Sequence, residues 1–149
     1  MRGFKIKLDH PMCKPAIGSE LAAGMDLRIF LGPRADAAVE IHPGETVMLD
    51  TGVSVELPPG WVGLIAPRSS TGKLQIQLEN TLGVIDADYR GVIRARLFNF
   101  GTETQILYNF DRIMQMIVVP HANPAMFELV DELSETVRGD GGFGSSGRN

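Results

Sequence analysis

Five short segments of the chain collect residue types that bind or transform small anions. Asp86-Ala87-Asp88-Tyr89 sets two carboxylates two residues apart beside a tyrosine, between Gly83 and Gly91. Either carboxylate could serve as a general base if a water came within hydrogen-bond reach. An acidic tip on an ordinary β-hairpin fits the same residues. Arg68-Ser69-Ser70-Thr71-Gly72-Lys73 brings a guanidinium, hydroxyls, a glycine and an ammonium together after an apolar run. Such a loop can offer side-chain and backbone donors to phosphate oxygens. It can equally be a solvated connection between strands. It is not a P-loop, because the G-x-x-x-x-G-K pattern is absent.

Three further segments are less distinctive alone. Asp26, after Ala23-Gly24-Met25, reads first as a turn acid capping a backbone N–H. Gln115 is one amide inside the apolar stretch 113–119, and a buried amide must find partners. Residues 138–149 hold five glycines, two serines and one large apolar residue, Phe143. That composition cannot bury enough surface to fold alone, so a mobile tail is expected. A frayed terminus and a lid that orders on a ligand both satisfy it.

The elements that must position these groups read as short strands. Residues 5–8 and 46–49 alternate, and residues 53–57 look strand-like before the Pro58-Pro59-Gly60 turn signal. Residues 61–66 form an apolar run closed by Pro67. Over residues 92–98, Ile93, Ala95 and Leu97 share one face and Arg94 and Arg96 the other, the period of a half-buried strand. Stretch 113–119 fits a strand buried on both faces or at a subunit contact. A short helix is expected only within residues 67–77, starting near Ser69 or Ser70, which are good N-cap types. Regular short strands with turn signals point to an all-β barrel or jelly roll.

Bulk properties narrow the function classes. At 149 residues, 44% hydrophobic and 21% charged, one soluble globular domain is expected. A net charge of -4 argues against a general nucleic-acid binder. One cysteine, Cys13, and three scattered histidines, His10, His42 and His121, leave no intramolecular disulfide and no zinc pattern. The N-terminus lacks the apolar run of a signal peptide, and no stretch is long enough to span a bilayer. A cytoplasmic location is the expectation.

Taken together, the order and spacing of the five segments resemble the five motifs of the homotrimeric dUTPase family. The resemblance runs from Ala23 to Gly147 and is most specific over residues 83–91 and in the tail. It implies a distorted jelly-roll or β-clip barrel over residues 1–137 and a tail, 138–149, closing over the active site. It implies hydrolysis of dUTP to dUMP and pyrophosphate by water attack on the α-phosphorus. Asp86 is then the base, and Tyr89 packs against the deoxyribose and excludes a 2′-hydroxyl. Main-chain groups of Gly83, Val84 and Ile85, with Asn80, read uracil. Arg68, Ser69 and Ser70 contact phosphates from a neighbouring subunit, with Ser69 steadying charge on the leaving oxygen. Gln115 lies near the phosphates, Asp26 supports the site, and Arg94 reaches the base or a phosphate or stays solvated. In the tail Phe143 stacks on uracil, while Arg138, Gly144, Ser145 and Ser146 bind the γ-phosphate. Mg²⁺ is held mainly by substrate phosphates and water rather than by protein ligands.

Some positions depart from the family pattern. Ser70-Thr71-Gly72 stands where Gly-Leu-Ala is frequent. Glu79 stands where glycine is common, and would oppose an anionic ligand if it faced inward. The competing readings are a dCTP deaminase of the same fold, a regulatory dUTP-binding protein, and an interaction domain without chemistry. The aspartate in the residue 86–89 string separates the first from a dUTPase, since the deaminases use a glutamate.

Overall fold

Alternation becomes structure most plainly in the tenth strand. The computed structural model describes residues 3–140. Its strands are β1 (Lys5–Leu8), β2 (Ala16–Ile17), β3 (Gly24–Arg28), β4 (Ala38–Ile41), β5 (Thr46–Asp50), β6 (Val53–Glu56), β7 (Trp61–Pro67), β8 (Ile76–Leu78), β9 (Gly83–Ile85), β10 (Arg94–Asn99), β11 (Gln105–Tyr108) and β12 (Arg112–Pro120). In β10, Ala95 and Leu97 are buried while Arg94 and Arg96 face outward. Ile93 just ahead of it is fully buried. Two 3₁₀ turns, Pro11–Cys13 and Thr71–Leu74, are the helical pieces among the described residues.

Four antiparallel sheets wrap one core. The largest runs β2-β3-β12-β7-β9, and a second runs β5-β10-β8. Two ribbons, β1-β6 and β11-β4, complete the all-β jelly-roll-type fold. β12 lies between β3 and β7, so its Ile113, Met114 and Met116 are buried. They pack with Leu27, Ile65, Ile93 and Leu97 in the central cluster. Cys13 is buried in the same core, and desolvation pushes its thiol above the ordinary range.

Two local expectations are corrected. The helix expected within residues 67–77 is one 3₁₀ turn, and Ser70 at its start makes no side-chain cap. The cause is Thr71, whose buried hydroxyl donates to Ile113 O at 2.6 Å and ties the turn to β12. Gln75 then ends the turn in a left-handed conformation, φ 52°. Nor do the strands flanking Asp86-Ala87-Asp88 form a hairpin ladder. β9 pairs with β7, and β10 pairs with β5 and β8. The intervening loop is held instead by side chains. Tyr89 Oη donates to Val92 O at 3.0 Å, and Arg90 Nη1 donates to Ala87 O at 2.7 Å.

Asn99 is the main polar group of the interior, fully buried at the end of β10. Its Nδ2 donates to Ile41 O and Glu103 O, both at 2.8 Å, and its Oδ1 accepts from Gly101 N at 2.9 Å. It thereby joins β10, β4 and the following loop. Asn99→Leu would leave the buried Ile41 carbonyl without its partner and free the two part-buried groups of the following loop. A loss of about 3 kcal/mol is expected in urea denaturation.

Candidate functional site

Where β9 and β10 part, a cleft opens. It has a volume of about 260 Å³ and is lined by Ile65, Asn80, Gly83, Val84, Ile85, Asp86, Tyr89, Ile93 and Arg94. Its construction follows from strand pairing. β9 has a ladder partner on one side only, β7. β8 joins β10 only from Leu97 onward, so beside Arg94 that edge of β10 is open. Ile93 spends its own groups toward the other side, with N–H to Val53 O at 2.8 Å and O to Thr51 N at 3.0 Å. Successive residues of a strand point their backbone groups to opposite sides, so those of Arg94 face the cleft. Two open strand edges therefore flank it, presenting backbone donors and acceptors as a sheet would to a missing strand.

Tyr89 is fixed at the rim. Its ring folds over Gly91, where an added Cβ would come within 2.6 Å of Tyr89 Cζ. A side chain at position 91 would displace the ring. The residue is 41% exposed, which leaves room for a ligand. The Asp86 carboxylate makes no hydrogen bond or ion pair with any described residue. Asp88 does not line this cleft; it faces a larger groove beside Arg90 and His121 that Asp86 also borders.

A second cleft, about 270 Å³, collects Gly18, Ala22, Ala23, Gly24, Asp26, Arg68, Ser69 and Gln115. It lies between the β2–β3 connection, the end of β7 and the middle of β12. Asp26 is its organising anion. The carboxylate pairs with Arg68 Nε at 2.8 Å and with Arg112 Nη1 at 3.3 Å, and its side chain is only 14% exposed. Arg68 Nη1 also donates to Arg112 O at 2.9 Å. The guanidinium is therefore held in place by a partly buried, charge-assisted network. Gln115 Nε2 donates to Pro67 O at 3.1 Å. Its Oε1 lies so close to Gly24 that an added Cβ would meet it at 2.6 Å. Ser69 is exposed, and its hydroxyl has no partner among the described residues. Such a cleft, with a fixed cation, a hydroxyl and an amide, suits phosphate oxygens.

The structure thus brings Asn80, Gly83, Val84, Ile85, Asp86, Tyr89 and Arg94 to one cleft and Arg68, Ser69 and Gln115 to another. The two clefts share no lining residue. Ser70 lines neither; its Oγ faces Arg68 Nη1 at 3.4 Å. Arg138 lies beyond the last strand and is exposed. Phe143, Gly144, Ser145 and Ser146 fall outside the described residues. Arg112, the second cation on Asp26, opens the segment that holds Gln115 but has no site role in the sequence reading, and Ile65 and Ile93, which wall the first cleft, carry no motif signal in the sequence. No group of three or more metal-ligating side chains occurs among the described residues.

Comparison with known proteins fits this geometry. The dUTPase family model matches residues 11–147. The chain is 59% identical over 146 residues to the deoxyuridine 5′-triphosphate nucleotidohydrolase of Escherichia phage T5, covering 97% of this chain and 98% of that protein. It is 43% identical to the protein of the same description from Burkholderia cenocepacia, covering 91% and 89%. Among solved structures, a mutant dUTPase of Staphylococcus bacteriophage 80alpha with dUpNHpp superposes with a TM-score of 0.85 at 25% identity, covering 99% of both chains. A mutant dUTPase of phage phi11 of S. aureus, described with a structural Mg(II) ion, has the same fold with a TM-score of 0.77 at 22% identity, covering 90% of this chain and all of that one. A family model matched across almost the whole chain, and relatives matched over most of both lengths, place this protein in the dUTPase family.

Proposed function

We propose that the chain is a Mg²⁺-dependent dUTP diphosphatase whose active site is shared between the chains of a homotrimer. The observation that carries this reading is the cleft between the open edges of β9 and β10, with an uncommitted carboxylate at its rim. A planar base entering such a gap meets backbone donors and acceptors on both sides. Uracil offers an N3–H donor between two carbonyl acceptors, and main-chain groups of Gly83, Val84 and Ile85, with Asn80, would pair with them. Cytosine reverses part of that pattern and would leave buried groups unpaired, a strong basis for rejection. Thymine's methyl would have to fit against the apolar wall. The Tyr89 ring would pack on the deoxyribose and leave no room for a 2′-hydroxyl.

Asp86 would take a proton from the attacking water. Its freedom from internal partners supports that role, in contrast to Asp26, whose charge is spent on Arg68 and Arg112. Asp26 would act as a positioning residue. Arg68 and Ser69 would hold the α- and β-phosphates, Ser69 donating to the oxygen on which charge builds as the bond breaks. Ser70 would contribute backbone and hydroxyl contacts, and Gln115 would order water at the phosphates. Because the carboxylate in the phosphate cleft is already paired, Mg²⁺ fits as a guest carried by the triphosphate. When bound it would orient the phosphates and offset the charge of leaving pyrophosphate. Arg138, Phe143, Gly144, Ser145 and Ser146 would close over base and γ-phosphate, excluding bulk water.

The trimer has its own support. Residues 121–140 carry no strand and are exposed throughout. Met126, Phe127, Leu129 and Leu133 are 82%, 72%, 89% and 87% exposed. A soluble chain seldom leaves such a run uncovered. Contact with further copies would cover it and bring the nucleoside cleft of one chain to the phosphate cleft of another. No helix among the described residues is long and apolar enough to cross a membrane. A cytoplasmic site of action agrees with a nucleotide substrate.

Pyrophosphate release from dUTP tests the reading directly. Asp86→Asn should lower kcat at least about a hundredfold with little change in nucleotide affinity, and EDTA should abolish turnover. Failure of a folded, oligomeric wild type to release pyrophosphate would refute it. Asp26→Asn should free Arg68 and raise KM for dUTP by roughly tenfold, the effect of weakening a partly buried charge network. An unchanged KM would show that Arg68 needs no such support. Removal of residues 138–149 should leave the thermal melting temperature within a few degrees while eliminating most turnover.

A further inference from the structure

The turn after β8 adopts an unfavourable backbone conformation, and it carries a polar group of the nucleoside cleft. Thr81 sits at φ 58°, a left-handed conformation that residues with a branched Cβ rarely adopt. The turn closes through Thr81 N–H to Leu78 O at 2.9 Å and Leu82 N–H to Asn80 O at 2.6 Å. Asn80 Nδ2 reaches Leu82 O at 3.1 Å, and Thr81 Oγ1 donates to Asn80 O at 2.7 Å. These bonds shape the turn but do not attach it to the rest of the molecule.

Glu79 supplies the attachment. Its N–H donates to Arg96 O at 2.9 Å. Its carboxylate pairs with Arg96 Nε at 2.6 Å and accepts from Thr46 Oγ1 at 3.2 Å. Arg96 is on β10 and Thr46 on β5, adjacent strands of one sheet. Glu79 therefore spans three strands one residue before Asn80. It does not line the cleft, and its charge is met by Arg96, so it does not oppose an anionic ligand.

We propose that Glu79 is a positioning residue for base recognition, its clasp on Arg96 and Thr46 fixing the turn that presents Asn80 to the nucleoside cleft. This rests on the reading of that cleft as the uracil site. The clasp sets how far Asn80 stands from the open edge of β10, and hence the width of the slot. It acts on selectivity and KM, and leaves the chemical step to Asp86.

Steady-state turnover of dUTP and dCTP by the full chain tests it, with thermal melting alongside. The panel is wild type, Glu79→Ala, Glu79→Gln, Glu79→Arg, Arg96→Glu and the exchanged pair Glu79→Arg/Arg96→Glu. Glu79→Ala should raise KM for dUTP about threefold to fivefold, as expected for a half-exposed pair. It should also narrow the preference for dUTP over dCTP and leave kcat within about twofold. Glu79→Gln should fall between the two, and the exchanged pair should recover most of both losses. A lowered melting temperature with KM and preference unchanged would make Glu79 a stability residue and overturn the proposal. So would an exchanged pair no better than its single variants. An active wild type with indifferent variants fails the clasp alone, whereas a folded wild type inactive on dUTP fails the underlying reading and the clasp with it.

Discussion

Everything at the nucleoside cleft depends on two neighbouring strands refusing to pair. β9 and β10 are separated by eight residues, close enough along the chain to have joined as antiparallel neighbours. Here β9 is taken by β7, and β10 by β5 and β8. The side chains of Tyr89 and Arg90 satisfy the carbonyls of the loop between them. Backbone edges that a ladder would have consumed are left for a ligand. An open edge is ordinarily a liability; sunk in a narrow slot, it would serve as a recognition surface that costs no side-chain ordering.

The same economy governs the charges. Asp26 and Arg68 are committed to each other, with Arg112 closing the network. Asp50 pairs with Arg94 and Glu79 with Arg96 across the β5-β10-β8 sheet. Among the described residues, Asp86 stands outside every such pair. Fixed charges make a preorganised cradle for an anion, and an unspent carboxylate is available to accept a proton. The two kinds of group sit in separate clefts of one chain. Assembly is what would bring them face to face, and the exposed apolar side chains of Met126, Phe127, Leu129 and Leu133 would give that assembly a driving force.

Much of this is legible in the residues alone. The period-two pattern over residues 92–98 marks β10 and its buried face, and the apolar stretch 113–119 marks β12. Gln115 stands out because an amide among apolar residues demands a partner, and it has one in Pro67 O. What cannot be read is pairing. Residues 83–91 look like a hairpin because local sequence reports strand tendency and turns, whereas the choice of partner is made by distant β7 and β5. Nor can the sequence show that Thr71 ties its turn to Ile113, stopping a helix at one 3₁₀ turn. Glu79 looks like a misplaced charge for the same reason: Arg96, seventeen positions on, is its neighbour only in the folded chain. Family resemblance supplies the roles proposed for Asp86 and Ser69; geometry supplies the contrast between the paired Asp26 and the unpaired Asp86.

The central claim is that the nucleoside cleft of one chain works on the phosphate cleft of another. The most direct measurement is complementation between Asp86→Asn and Arg68→Ala chains, each inactive alone, unfolded and refolded together in equal amounts. Random assembly would give about a quarter of sites an intact Asp86 facing an intact Arg68 from a different chain. Recovery of pyrophosphate release toward that fraction is the expected result. Mixed oligomers, verified by native mass spectrometry, that remain as inactive as either parent would contradict it.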